Sequence, residues 1–523
     1  MKKRIEYNVY GKKISREYTY IPVRYIWAAF VTLLEILLII ASVVALCYYV
    51  PYFYLAALVT QVMCVIALVS SDDNPDYKVP WLLIVMLIPI AGFMLYFLFY
   101  SRTLSKNYVK RLEEIKQRKY TDGTDFIFRR LKEENIEAGN QAQMLCKIAD
   151  THVYPEKELT YYPSGEALFA AMLEDLKKAE KFIFMEYFII EQGKFWDPIL
   201  EVLKEKAAQG IEVRVVYDDI GCMFTLPGNY WKTLQKMGIN AVPFSRMKGA
   251  ADGEFNNRSH RKITVVDGLV AYTGGVNIAD EYINEIERFG HWKDVGLRLT
   301  GGAVCELTRL FLIDHGVNVK KDSPWKEEYF PQIAEESAEG KGYLIPFGDG
   351  PKPLYERRVG KGVIRNLIAG AKKYVYITTP YLILDDEMCQ TIESAALRGV
   401  SVKLILPHIP DKKLVFEASK SFYKRLMEAG AEIYEYEPGF IHAKVYLIDG
   451  EYAMVGTINL DHRSLVHHFE NGVWMYRCGC IADIERDFNE TAAKSIAVEK
   501  SALRVNIFKR ALRSVIRIFA TLL

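Results

Sequence analysis

Two copies of one pattern stand 182 residues apart in this chain. The first reads His260-Arg261-Lys262, then Asp267 after four residues, then Gly274-Gly275-Val276-Asn277 after six more. The second reads His442-Ala443-Lys444, then Asp449, then Gly456-Thr457-Ile458-Asn459, with every internal spacing repeated. Each copy brings one imidazole, one ammonium and one amide. Together they suit a phosphodiester anion. A neutral imidazole can attack phosphorus and form a covalent phosphohistidine. It cannot protonate the leaving alkoxide at the same moment, so a second imidazole is required. Histidine titrates near 6.5, which puts opposite protonation states within reach at neutral pH. Lys262 and Lys444 would hold the nonbridging oxygens as point charges, and Asn277 and Asn459 would add neutral donors. This chemistry calls for no metal and no cofactor.

One HxK pair on a strand is weak evidence; two full matches in a repeated setting are strong. Each reacting imidazole also needs an orienting partner. Glu470 lies 11 residues after Asn459, and Asp294 lies 17 after Asn277, so both are candidates beside the ordinary reading of salt-bridge carboxylates. His291, His462, His467 and His468 are candidates to line the cleft, with a surface or structural role as the default reading, and His152, His315 and His408 have no motif around them. Asp267-Gly268 and Asp449-Gly450 are hairpin-turn pairs. A turn-shaping role therefore competes with a catalytic one for both aspartates.

The elements that position these residues also repeat. Residues 179–188 read as a helix end running into a buried strand. An amphipathic helix over 197–209 follows, with Asp197 capping and Pro198 first, and then a strand over 211–217. The second copy has a strand from 371, a helix over 385–398 and a strand over 400–406. This order argues an α/β fold: two pseudo-symmetric repeats, each a mixed sheet flanked by helices. The expected boundaries are a basic tail over 1–24, a membrane segment over 25–100 and a charged helical linker over 101–155. The first repeat then spans 156–330, a polar join 331–345, the second repeat 346–485 and a C-terminal helix 486–523.

Composition is ordinary for a globular protein, half apolar and a quarter charged, with a net charge of +2. It conceals apolar runs at 25–49, 51–70 and 79–100, each near the roughly 20 residues that cross a bilayer. Basic residues crowd both flanks, from Lys2 to Arg24 and from Arg102 to Lys119. Lysine and arginine favour the cytoplasmic side, so both flanks inside means two crossings and a cytoplasmic catalytic part in a multi-pass membrane protein. One run is then not a full span, and Glu35 marks the first as the expected exception. The eight cysteines form no disulfide framework, and Cys478-Gly479-Cys480 reads as packing rather than a metal site. At the C-terminus, Val505, Phe508, Leu512, Val515, Ile516 and Phe519 share one helical face. Asn506, Lys509, Arg510, Arg513 and Arg517 share another, a pattern fit for an anionic lipid interface.

The doubled motif resembles that of the phospholipase D superfamily. The surroundings resemble its bacterial cardiolipin synthase branch: Asn257-Arg258-Ser259 before His260, Gly290-His291-Trp292-Lys293-Asp294, Phe440-Ile441 before His442, and Asn459-Leu460-Asp461-His462-Arg463-Ser464. The membrane segment with Asn74-Pro75 and Lys78-Val79-Pro80-Trp81 fits as well. The resemblance implies condensation of two phosphatidylglycerols to cardiolipin with release of glycerol, His260 as nucleophile, and His442 as acid and then base. It implies lipid partners and no nucleic acid. From the motifs alone, water or another alcohol as acceptor stays open, as does a nuclease, which would want a basic, aromatic-lined groove and no membrane spans.

Overall fold

The computed structural model describes residues 4–7, 13–16, 23–71, 73–88, 90–100, 104, 106–116, 125–246, 256–319, 325–331, 342–503 and 506–522. Two mixed sheets dominate it. The first runs in the order Leu159–Tyr162, Gly296–Thr300, Val270–Gly274, Lys262–Val266, Phe182–Tyr187, Glu212–Asp218, Asn240–Phe244. The second repeats that order through Tyr343–Asp349, Glu470–Tyr476, Tyr452–Gly456, Val445–Ile448, Tyr374–Thr378, Ser401–Pro407 and Glu432–Tyr436. In both, the strand opening the repeat is parallel to the next strand in sequence and antiparallel to the motif strand. The expected strand–helix–strand units are therefore present, flanked by helices such as Trp196–Ala208 and Asp386–Leu397. Asp385 caps the latter through the Met388 amide. The former starts one residue early, and its Asp197 accepts from Gly193 N–H rather than capping.

Helix Ala303–Asn318 is buried along nearly its whole length and packs against strands of both sheets. One continuous apolar core joins it to the two inner sheet faces. The segment expected as a linker over 101–155 joins the same core. Its helices Lys106–Lys116, Asp125–Glu134 and Ile136–Ala149 bury Tyr108, Leu112, Ile115, Leu131 and Leu145. They are packed structure, not a spacer. The expected join at 331–345 largely lies outside the described residues, and Tyr343 already begins a strand of the second sheet. The expected C-terminal unit starts too early as well: helix Ile481–Ala493 packs on the second sheet, and strand Ser495–Ala497 pairs with its edge.

The membrane segment departs from expectation in a definite way. The first run is an unbroken helix, Val23–Tyr49, so Glu35 does not interrupt it. With helix Pro51–Ser70 it contains the two described stretches, Ala29–Leu46 and Tyr52–Ser70, long and apolar enough to cross a bilayer. The third run is the broken one. It forms helices Pro75–Leu87 and Ala91–Phe99, too short to span a ~30 Å hydrocarbon core. Ile90, just before the second helix, stands at a φ of 64°, outside the helical region. Gly92 lets the second helix close on the first, since a Cβ there would stand 2.3 Å from the Ile84 carbonyl oxygen.

This hairpin is fastened to the catalytic part. Asn74 donates to Asp385 at 2.6 Å, Asp76 accepts from the Asp386 amide at 2.6 Å, and the Tyr77 ring stacks on His462. Helix Ile507–Phe519 closes the chain, capped by Asn506 (Val505 lies outside the described residues). It docks on helix Lys413–Glu428 through part of its basic face: Arg513 donates to Glu417, and Arg517 lies over the Phe422 ring. Phe508, Leu512 and Val515 stay exposed, while Ile516 turns inward. The apolar stripe read from sequence is thus split between solvent and protein.

Candidate active site

Each motif histidine sits just before the first strand of a hairpin, at the seam between the halves. The His260 amide donates to the Phe469 carbonyl at 2.8 Å, and the His442 amide donates to the Lys293 carbonyl at 2.7 Å. Both carbonyls come from the residue preceding a fully buried carboxylate, Glu470 and Asp294. Those carboxylates then take the imidazoles. His260 Nδ1 lies 2.9 and 3.1 Å from the two Glu470 oxygens, and His442 Nδ1 lies 2.7 Å from Asp294 Oδ2. The partners are exchanged: the second half's glutamate holds the first half's histidine, and the first half's aspartate holds the second's. An Nδ1–H donated backwards leaves each Nε2 for the cleft.

Lys262 donates to the His260 carbonyl at 2.8 Å, and Lys444 donates to the His442 carbonyl. The Lys444 ammonium also lies 2.9 Å from His442 Nδ1. That nitrogen's proton is committed to Asp294, so this second approach sets two donors against each other and is not a hydrogen bond. Burial, reinforced by Lys444, pulls Lys262 down to about 7, and burial pulls Lys444 down to about 8. Burial likewise lowers His260 to about 3 and His442 to about 4, against the opposing pull of Glu470 and Asp294. Both carboxyls are held below the usual range, because the facing histidines outweigh the cost of burial. Burial thus presses all four basic groups toward neutrality beside two carboxylates that stay ionised.

Both histidines open onto one cleft of about 710 Å³, and Asn277 and Asn459 line it with them. Its walls are aromatic, with Phe188, Tyr282, Trp292 and Phe440 packed edge-on or tilted against the two imidazoles. Asn277 is held on both sides, accepting from the Ile189 amide and donating to the Tyr282 hydroxyl. The buried Oδ1 of Asn459 accepts from no donor among the described residues. The same cleft includes Ala520 of the C-terminal segment and Ile383 and Val415 beside it.

Asp267 and Asp449, counted among the catalytic candidates, do not reach the cleft. Each sits at positive φ, 56° in both, at its hairpin turn. Asp267 accepts from the amides of Glu180, Lys181 and Phe182 at 2.7–2.8 Å. Asp449 does the same for Lys372, Lys373 and Tyr374. They pin the strand that opens each repeat against the motif hairpin. Their role is the turn-shaping one.

Several residues behind the histidines escaped sequence reasoning. Glu470 also accepts from the hydroxyls of Ser464, at 2.6 Å, and Thr457. Arg261 reaches past His260, donating through Nε to the Glu470 carbonyl and through Nη1 to the buried Asp314. Ser259 donates to Glu186, whose carboxyl is pushed well up by burial and by Asp314. At the matching register of the second sheet stands Thr378, and Ala443 stands where the first motif has Arg261. The two histidines are therefore backed differently. The only sequence signal was a charged residue inside a wholly apolar strand, Glu186 in Phe182–Tyr187.

His260, His468 and Glu470 each offer one ligand atom within 4.8 Å of the others. Glu470 already takes a pair of hydroxyl donors and the His260 Nδ1 proton there, so the cluster is assembled as a hydrogen-bonded group. Cys478 and Cys480 are buried thiols with pKa values raised by burial, Cys480 to about 12, and Cys478 donates to the Tyr343 carbonyl. They are packing groups. His468 stands beside His260 in the cleft, the alternative to its default surface or structural reading. His462 also lines the cleft and carries the Tyr77 stack. His315 is core, with its pKa lowered to about 3 by burial.

Two like sheets that meet over a shared two-histidine cleft define a phospholipase D-type enzyme. The model of a cardiolipin synthase, phospholipase D-like domain matches residues 172–287 and 364–492. A phospholipase D-nuclease N-terminal model matches residues 59–99. A cardiolipin synthase of Geobacillus kaustophilus is 33% identical over 469 residues, covering 88% of this chain and 91% of its own. Cardiolipin synthase 2 of Bacillus anthracis is 33% identical over 88% of this chain and 89% of its own. An uncharacterized protein of Streptococcus mutans is 42% identical over 88% of this chain and 99% of its own. The solved phosphatidylserine synthase of Haemophilus influenzae shares the fold, with a TM-score of 0.57 and 15% identity over 73% of this chain and 98% of that one. The chain belongs to the cardiolipin synthase family.

Proposed function

We propose that this chain is a membrane-bound phosphatidyltransferase that condenses two phosphatidylglycerols into cardiolipin and glycerol. The observation that carries it is the exchanged pair of His–carboxylate couples facing one aromatic-walled cleft. Neutral His260, its Nδ1 proton held by Glu470, attacks phosphorus through Nε2. Lys262, Lys444, Asn277 and Asn459 surround the phosphoryl oxygens. A bound phosphodiester adds negative charge beside these cations and raises their pKa values, so His442, backed by Asp294, enters protonated. It gives its proton to the departing glycerol oxygen, leaving phosphatidyl-His260. Neutral His442 then takes the proton from a hydroxyl of the second phosphatidylglycerol. That oxygen attacks phosphorus, the P–N bond to His260 breaks, and cardiolipin leaves.

His260 as nucleophile follows the resemblance to the family's first motif, and the buried Arg261–Asp314 brace behind it supports that order. Helices Val23–Tyr49 and Pro51–Ser70 would cross the membrane, with the catalytic part on the cytoplasmic side, tied to the hairpin Pro75–Phe99. The test is metal-free incubation of the purified protein with labelled phosphatidylglycerol and resolution of the lipid products. Cardiolipin with free glycerol is expected. Phosphatidic acid alone would make water the acceptor and the chain a hydrolase.

A further inference from the structure

Condensation, if the proposed function holds, sets a demand that hydrolysis does not. The acceptor lipid carries its own phosphodiester, which keeps its charge throughout and must lie one glycerol away from the reacting phosphorus. A second buried anion needs a second cation.

The charged groups of the cleft are nearly all engaged. Lys262 and Lys444 stand at the histidines. Arg258 is locked to Asp218 by a two-pronged pair and to the Ser245 and Phe244 carbonyls. Arg288 pairs with Glu281 at 2.9 Å. Lys412 is exposed at the rim over the Tyr381 ring. The carboxylates are also taken: Asp411 accepts from Tyr381, and Asp461 caps helix His462–Val466 through Ser464 N–H.

Arg463 is different. It lines the cleft, its Nε is buried, and its guanidinium donates to no acceptor among the described residues. Its backbone is fixed, the carbonyl receiving the His467 and His468 amides. Burial is costly to this half-buried guanidinium and the charge of Asp461 offsets part of that cost, but no hydrogen bond or ion pair completes it among the described residues. The repeat sharpens the point. Four residues after Asn459 stands Arg463; four after Asn277 stands Glu281, neutralised by Arg288. One side of the pseudo-symmetric cleft holds a carboxylate paired directly to an arginine; the other holds an arginine with no direct ion pair among the described residues, facing Asp461 only at longer range. The open side also abuts the membrane hairpin, since Arg463 follows His462, on which Tyr77 stacks.

We propose that Arg463 binds the unreacting phosphodiester of the acceptor lipid, making its side of the cleft the acceptor subsite. A guanidinium fits this task, as it offers paired donors to two phosphate oxygens. The subsite separates two half-reactions. Exchange of labelled glycerol into phosphatidylglycerol forms and reverses the phosphatidyl-enzyme with no second phosphate in the cleft. Cardiolipin formation requires one.

The test compares both in the full-length protein in phosphatidylglycerol vesicles, for wild type, Arg463→Gln and Arg463→Lys. Arg463→Gln is expected to cut cardiolipin formation at least 30-fold while glycerol exchange changes less than threefold, with Arg463→Lys between. Equal loss of both reactions would place Arg463 at the donor phosphate or in the fold. Unchanged cardiolipin formation would remove it from phosphate binding altogether. Either result overturns the proposal. A wild-type protein that shows neither reaction would instead overturn the phosphatidylglycerol reading on which the proposal rests.

Discussion

Replacing Glu470 with glutamine changes no heavy-atom position beyond one oxygen for one nitrogen, yet three donors converge on that carboxylate. They are His260 Nδ1–H, Ser464 Oγ–H and Thr457 Oγ–H. An amide offers one oxygen acceptor and one NH2 donor. The Thr457 hydroxyl has the Asn471 carbonyl as a second acceptor, so the NH2 end settles at the Oε2 position, 2.9 Å from Nδ1. There Nδ1 must accept, and the ring proton moves to Nε2. The nucleophilic lone pair then leaves the cleft. A carboxylate-to-amide change that fixes the wrong tautomer costs about 10⁴ in kcat, or ~5.5 kcal/mol of transition-state stabilisation. The proposed phosphate contacts of Lys262 and Lys444 are untouched, so KM should move less than threefold. The assay is single-turnover trapping of acid-quenched phosphatidyl-enzyme alongside steady-state cardiolipin formation. Glu470→Gln retaining more than a tenth of wild-type labelling would refute the tautomer reasoning.

Asp294→Asn should strike a different step. It weakens His442 as an acid, so release of glycerol slows by about 10³ or more. A phosphatidyl donor with an acidic phenol as leaving group should restore phosphatidyl-enzyme formation but not transfer to the acceptor. Asp267→Ala removes the acceptor of three backbone amides and should cost about 2–4 kcal/mol of stability by denaturant titration. The activity of the remaining folded protein should be nearly unchanged, and a hundredfold loss of kcat would return Asp267 to the chemistry. His260, His442 and His315 are all held neutral by burial, at about 3, 4 and 3. The unfolded chain, with histidines near 6.5, binds more protons below that pH. Stability should therefore fall as pH drops from about 6.5 toward 4, by about 1.4 kcal/mol per unit for each buried histidine. A flat denaturation midpoint over that range would contradict the burial.

The chemistry was legible because the reacting groups lie in short contiguous motifs whose spacing survives in both copies. Asp294 and Glu470 could be nominated from sequence, but their exchange could not be seen, since a contact across the seam leaves no local pattern. Arg261 and Asp314 were invisible for the same reason. The charge of Glu35 pointed to the wrong apolar run, because one carboxylate does not interrupt a helix, whereas the third run breaks between Leu87 and Ala91. The supposed linker concealed Tyr108, Leu112 and Ile115 at helical spacing beneath a heavy load of charge.

The exchanged carboxylates bear on how such an enzyme is made. Residues through 330 leave the ribosome while Glu470 is still unsynthesised. A first half folded alone has a histidine without its orienting glutamate, and its aspartate has no histidine to hold. Neither half carries a complete nucleophile or a complete acid. On the proposed mechanism the chemistry therefore requires both halves docked, and a chain truncated after residue 330 should form no phosphatidyl-enzyme.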